Sequence, residues 1–363
     1  MSELLFPTQV KDLNTVLRAF NWRALSREVD LEAHLQLAIV GPVNSGKSTL
    51  FNRLHGRNLS AASAVPGTTQ NVVEHPLGPF LLVDTPGFGE VWGVDRATVA
   101  KEAAAAADLV LLVLDAAAGV RQSDHDLLQT LRALGHPVIV ALNKADLIKK
   151  DLPWVLENAE AVLGVRPLPI SARTGMGISD KLLPTILQVE PGIAVAMARG
   201  LPGVRKQLVT RLIRQAATTN AVIALQPIPF LDIPLLLAMQ TRLVLRIAAA
   251  YGQPMSVTHA RELITTIAGG LLTRYLAGQL AKFFPGPGWI VSAGMALAGT
   301  WAIGEAARRY FEAGANIPAP DLRALYQGLR KRAARGILNR QPPELPIEIP
   351  LAASDTAPTD ESA

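Results

Sequence analysis

The sequence predicts an α/β domain with a doubly wound, mostly parallel sheet over residues 35–190, followed by an all-α domain over residues 191–340. Three observations carry this reading. Short apolar runs alternate with helix-length segments through the first half, as expected for strands buried on both faces and joined by crossover helices. A glycine-rich stretch, GPVNSGKS (41–48), stands between the first such run and the helical segment after it. Beyond Pro191-Gly192 only helical-looking segments follow.

Taken in order, residues 8–33 space Val10, Leu13, Leu17, Phe20 and Leu25 at helical intervals with Arg18, Arg23 and Arg27 elsewhere. An amphipathic helix is expected within residues 1–34, packed on the next domain or lying on a membrane surface. The strands are LQLAIV (35–40), FLLVDT (80–85), DLVLLVLDA (108–116), PVIVALN (137–143) and PLPIS (167–171). HPLG (75–78) predicts a tight turn joining an antiparallel strand at 70–74 to the one at 80–85. In the second half, residues 216–252 predict two helices around a corner forced by Pro227, Pro229 and Pro234. Residues 283–304 run without a charge and leave about 17 residues from Gly288 for a helix, the short limit for crossing a hydrocarbon core of roughly 30 Å. Gly294 and Ala298 there have the small-x-x-x-small spacing of closely packed helices. A helix over 320–335 and a disordered tail over 341–363 complete the chain.

Charge divides the same way. Residues 1–190 carry 17 basic and 20 acidic side chains, whereas residues 191–340 carry 18 and 5. A basic, apolar helical domain suits lipid headgroups or nucleic acid. The chain has no cysteine, which excludes disulfides and thiolate metal sites. Lys11, Asp12, Asn14 and Arg18 interrupt any signal-peptide core, so the first half is expected in the cytoplasm, with the chain as a whole membrane-associated through its second half.

GPVNSGKS fits G-x-x-x-x-G-K-[ST] in the required context, after a strand and opening a helix. Gly41, Asn44, Ser45, Gly46, Lys47, Ser48 and Thr49 are the expected phosphate contacts: the backbone wraps the phosphates, Lys47 reaches the outer ones and Ser48 ligates magnesium. In DTPG (84–87), Asp84 would hold magnesium through water and the Gly87 amide would meet the terminal phosphate. PGTT (66–69) supplies Thr68 or Thr69 to the same metal. Lys47, Thr68, Thr69 and Gly87 are the candidates for acting on the reacting phosphate. NKAD (143–146) offers the Asp146 carboxylate to two donors on the guanine edge, an arrangement adenine cannot match. Asn143 would brace the neighbouring loops, Lys144 would lie along the base, and SAR (171–173) would offer the Ala172 amide, next to Ser171, to the guanine carbonyl.

These elements, in this order and spacing, resemble the TrmE–Era–EngA–septin-like class of small GTPases over about residues 35–190. The resemblance implies a P-loop NTPase fold, GTP and GDP as ligands, magnesium, and hydrolysis of GTP. Phe88 stands where Ras-like switches carry the water-orienting glutamine, so turnover is expected to be slow alone and to need another group, a partner subunit such as a second copy docked through this domain, or a monovalent cation. Asn44 occupies the position that helps ligate potassium in cation-activated members; the alternative is that it merely caps the loop. Gln70-Asn71 replaces the usual Arg-Asp, and Glu90 is no secure match to the downstream catalytic glutamate. Residues 197–312, with PIPFLDIP (227–234), resemble the helical domain of YcjF-like membrane-associated proteins. That resemblance implies a switch coupled to membrane lipid or a membrane protein. An Era-like RNA or ribosome assembly role, for which GLPG (200–203) has the form of a KH clamp, and a GTP-binding scaffold with little turnover are the alternatives.

Overall fold

A computed structural model of the chain describes residues 21–56, 80–85, 104–225, 232–268 and 287–338. The expected strand at 70–74, the turn at 75–78, the start of the N-terminal helix and the tail lie outside them. Five parallel strands form one sheet: β1 (Leu37–Pro42), β2 (Phe80–Thr85), β3 (Leu109–Asp115), β4 (Val138–Asn143) and β5 (Leu168–Pro169), in the order β2-β1-β3-β4-β5. β5 is shorter than expected. Pro167 and Pro169 have no N–H to give a ladder, which ends the pairing after two residues.

Side-chain alternation splits the strands between two cores. Leu37, Ile39, Leu109, Leu111 and Val113 face α1 (Trp22–His34) and α2 (Lys47–His55), while Ala38, Val40, Val110, Leu112 and Leu114 face the other way, with α3 (Gln122–Arg132) and α4 (Leu152–Leu163). A π-turn at Ile178–Leu182 leads into α5 (Leu183–Val189) and Gly192 into α6 (Ile193–Gly200). The remaining helices are α7 (Pro202–Ala224), α8 (Asp232–Ala250), α9 (Val257–Ala268), α10 (Pro287–Glu312) and α11 (Ala319–Leu338).

The two halves do not keep separate cores. The first cluster runs without a break from β1 and α2 through α6 and α7 to α8, α10 and α11. α1 joins the second half: Leu25, Val29 and Ala33 are buried, and Glu32 accepts from Arg242 Nη2 at 2.8 Å and Arg246 Nε at 2.6 Å on α8. Leu25, Val29 and Ala33 are therefore covered by protein, while Leu31 is exposed and Val10, Leu13, Leu17 and Phe20 lie outside the described residues. Burial is the main influence lowering the Arg246 pKa, with Glu32 opposing it.

Pro234 lies in the first turn of α8, where a missing N–H costs nothing, so it is not part of the corner; Pro227 and Pro229 fall outside the described residues. α10 is longer than expected because it continues through Glu305, Arg308 and Arg309 to Glu312; Arg308 donates to Glu305 at 2.6 and 2.8 Å and to Glu312 at 2.6 Å. Among the described residues no helix is long and apolar enough to cross a membrane. The close approach on α10 is at Gly304, whose Cβ would lie 2.8 Å from Ile213 Cγ1; around Gly294, none of the described residues comes within 4 Å. Asn220 Nδ2 and Gln240 Nε2 both donate to Thr300 Oγ1, at 2.9 and 3.3 Å, and so fix the register of α7, α8 and α10.

GLPG is an inter-helix contact here. A Cβ on Gly203 would lie 2.8 Å from both the Gly56 nitrogen and the Leu54 oxygen, so the start of α7 rests on the backbone that ends α2. Neither backbone atom can step aside. Gly203→Ala is expected to push α7 from α2 and lower stability by about 1–3 kcal/mol, measured as a shift in the denaturation midpoint at unchanged slope.

Candidate nucleotide-binding site

Parallel strands end together, and here their carboxyl ends gather the polar residues at one edge, the usual ligand crevice of an open α/β sheet. Gly41 pairs with Asp84 between β1 and β2, and Asp115 pairs with Asn143 between β3 and β4. The loop from Gly41 to Gly46 leaves β1 and opens α2. A Cβ on Gly41 would lie 2.1 Å from the Val113 carbonyl oxygen, and one on Gly46, at φ 92°, would lie 2.3 Å from Asn143 Nδ2. Only glycine fits either place. Asn44 also adopts a left-handed conformation, at φ 65°, with its side chain exposed.

Lys47 is buried, and its Nζ donates to the carbonyls of Gly41 and Pro42 at 2.7 Å each. The ammonium thus sits inside the loop, beside the first-turn amides of α2 that have no intrahelical partner. Ser45 Oγ is buried and has no hydrogen-bond partner among the described residues. Ser48 and Thr49 are exposed in the first turn of α2.

Asn143 links this loop to the second one. It is 2% exposed, its Nδ2 donates to the Ser45 carbonyl at 2.8 Å, and its Oδ1 accepts from the Ala172 amide at 2.8 Å. The Ala172 amide, expected to meet the guanine carbonyl, is engaged by this brace instead. Lys144, left-handed at φ 63°, donates through Nζ to Asp115 Oδ2 at 2.6 Å. Asp146 Oδ2 accepts from Arg173 Nη2 at 2.6 Å. The Ser171 hydroxyl, followed by Arg173, holds the Asp146 carboxyl below its ordinary pKa, so it is ionised at neutral pH. Arg53 on α2 donates to the carbonyls of Ala172 and Arg173 and ties the second loop to the first helix.

Thr68, Thr69, Gly87 and Phe88 lie outside the described residues, and Asp84 is described by its backbone alone. Asp115, Arg53 and Arg173 were not among the site residues expected from the sequence. Asp115 had a signal, as a carboxylate closing an apolar strand at the ligand edge; Arg53 and Arg173 had none.

Residues 36–144 match the family described as 50S ribosome-binding GTPase. This segment belongs to that GTPase family. It carries the P-loop GTPase fold, and the match stops at Lys144, so the base-facing roles of Asp146 and Ser171 rest on motif and geometry, and that of Ala172 on motif alone. Residues 192–284 match a domain of unknown function. GTPase Der of Desulforudis audaxviator is 38% identical over 154 residues, 40% of this chain and 35% of that protein. The tRNA modification GTPase MnmE of Moorella thermoacetica is 33% identical over 227 residues, 59% of this chain and 47% of that protein. The chain spans less than half the length of either relative. A solved structure of a probable GTP-binding protein engB shares 28% identity over 42% of this chain and 97% of that one, with a TM-score of 0.35.

Proposed function

We propose that the chain binds GTP and hydrolyses it to GDP and phosphate, and that its helical half passes the nucleotide state to a membrane or a membrane-bound partner. One observation carries the first part: Asn143 bonds both the phosphate loop and the SAR loop, so that phosphate and base sites form one rigid unit. Lys47 and the amides opening α2 supply positive charge to the terminal phosphates, where negative charge builds as water attacks phosphorus and the bridging bond to GDP breaks. Asp146 accepts from the base, beside Lys144 and Ser171. Among the described residues no cluster of three or more His, Asp or Glu suits a metal. A phosphate-bound magnesium needs none: the exposed hydroxyl of Ser48 and Asp84, whose strand position is beside Gly41, fit it, with Thr68 or Thr69 as a further ligand. Bound there, magnesium would neutralise phosphate charge. Phosphate release from GTP and ATP by the full chain tests this reading; slow release from GTP alone supports it, and equal rates or none overturn it. Asn44 is the potassium candidate, and hydrolysis faster in potassium than in matched sodium chloride supports that part.

A specific feature favours the membrane. Thr300 sets the level of Asn220 and Gln240, so the stretch of α10 before Thr300 lies beside the end of α7 and the start of α8. Val222, Leu225, Leu235, Val291 and Met295 are exposed at that end. The joining sequence QPIPFL (226–231) is apolar too. Cosedimentation with anionic vesicles that detergent reverses and high salt does not is the expected result, because salt at 1 M screens charge beyond about 3 Å but leaves apolar burial intact. Failure to bind vesicles removes the membrane reading. A ribosomal or RNA partner, the alternative, would then be sought by cosedimentation with 50S subunits; a dimer through the nucleotide-binding half would be seen by size measurement with GTP bound.

A further inference from the structure

The base-reading carboxylate is already occupied by the protein itself. Arg173 Nη2 donates to Asp146 Oδ2 at 2.6 Å, and the Asp146 side chain is only 6% exposed while that of Arg173 is 73% exposed. The arginine therefore covers the carboxylate from the solvent side. Its backbone is anchored: Arg53 holds the carbonyls of Ala172 and Arg173, and the Thr174 amide donates to Ser171 Oγ at 3.1 Å. Beyond that anchor, most of the side chain is in contact with water and its guanidinium is held by Asp146.

A guanidinium presents N–H donors in a planar fork, which is how guanine presents its ring N–H and 2-amino group to a carboxylate. We infer that Arg173 is an intramolecular stand-in for the guanine edge, one that must leave Asp146 before a base can take the same carboxylate. The inference rests on the reading that Asp146 takes the base. Because the latch competes only in the free protein, it reduces the competent fraction and slows association, and it leaves dissociation alone. An ion pair so exposed is weak, which limits the effect to about two- to five-fold.

The test is stopped-flow binding of GDP and of IDP, which lacks the 2-amino group, to the full chain and to Arg173→Ala, with Arg173→Gln keeping the stem. The expected result is association about two- to five-fold faster for both nucleotides in both variants, with unchanged dissociation. In an Asp146→Asn background, measured with XDP, the same substitution should have no effect. Unchanged association would overturn the inference. So would faster dissociation, since it would mean that Arg173 contacts the bound base. If wild-type protein binds ADP as tightly as GDP, the guanine reading itself fails, a result separate from either of these.

Discussion

Replacing Asp146 by Asn is expected to weaken GDP binding about 10³-fold and to strengthen XDP binding. The carboxylate is acceptor-only, it is ionised at neutral pH, and Ser171 orients it. An amide turns one acceptor into a donor, which then faces a donor on guanine, so a hydrogen bond is lost and two donors are set against each other. Xanthine carries a carbonyl where guanine has the 2-amino group and so restores the pairing. Competition between GDP and XDP measures the change. Equal losses for both would mean that Asp146 supports the loop without reading the base.

Lys47→Ala should produce a loss of similar size at the other end of the site, roughly 100-fold or more in affinity for GDP and GTP. Nζ makes two bonds to loop carbonyls, at 2.7 Å each. On phosphate both partners are charged, and hydrogen bonds to charged groups are worth about 1.5–3 kcal/mol apiece. The ammonium is buried, so binding does not spend much on ordering it. Thermal unfolding of the variant distinguishes a lost contact from a lost loop: a near-normal transition together with lost binding is expected, and retained binding would show that the loop is not the phosphate site.

What was legible in the sequence was what depends on local order. Strands buried on both faces leave continuous apolar runs, so β1 to β4 could be placed to within two residues, and the phosphate loop follows from glycines that only that turn requires. Asn143 as a brace was also legible, because NKAD sits directly after a strand. Pairings between distant residues were not. Arg53 with Ala172, 119 positions apart, Arg173 with Asp146 and Lys144 with Asp115 depend on how loops meet at the sheet edge, and no periodicity encodes that. The helical half misled in a specific way: an uncharged stretch such as 288–304 fits lipid and a protein core equally well, and it is Gly304 against Ile213 and Thr300 between Asn220 and Gln240 that identify much of it as core. The apparent RNA clamp GLPG proved to be the point where α7 rests on α2, which places the helical half one backbone contact from the helix that opens the phosphate site.

The claim that this crevice is a guanine-nucleotide site is tested most directly by calorimetric titration of the full chain with GDP and with ADP in magnesium buffer. One molecule of GDP per chain is predicted, with ADP at least about 100-fold weaker; equal affinity for the two, or no binding of either, would contradict it.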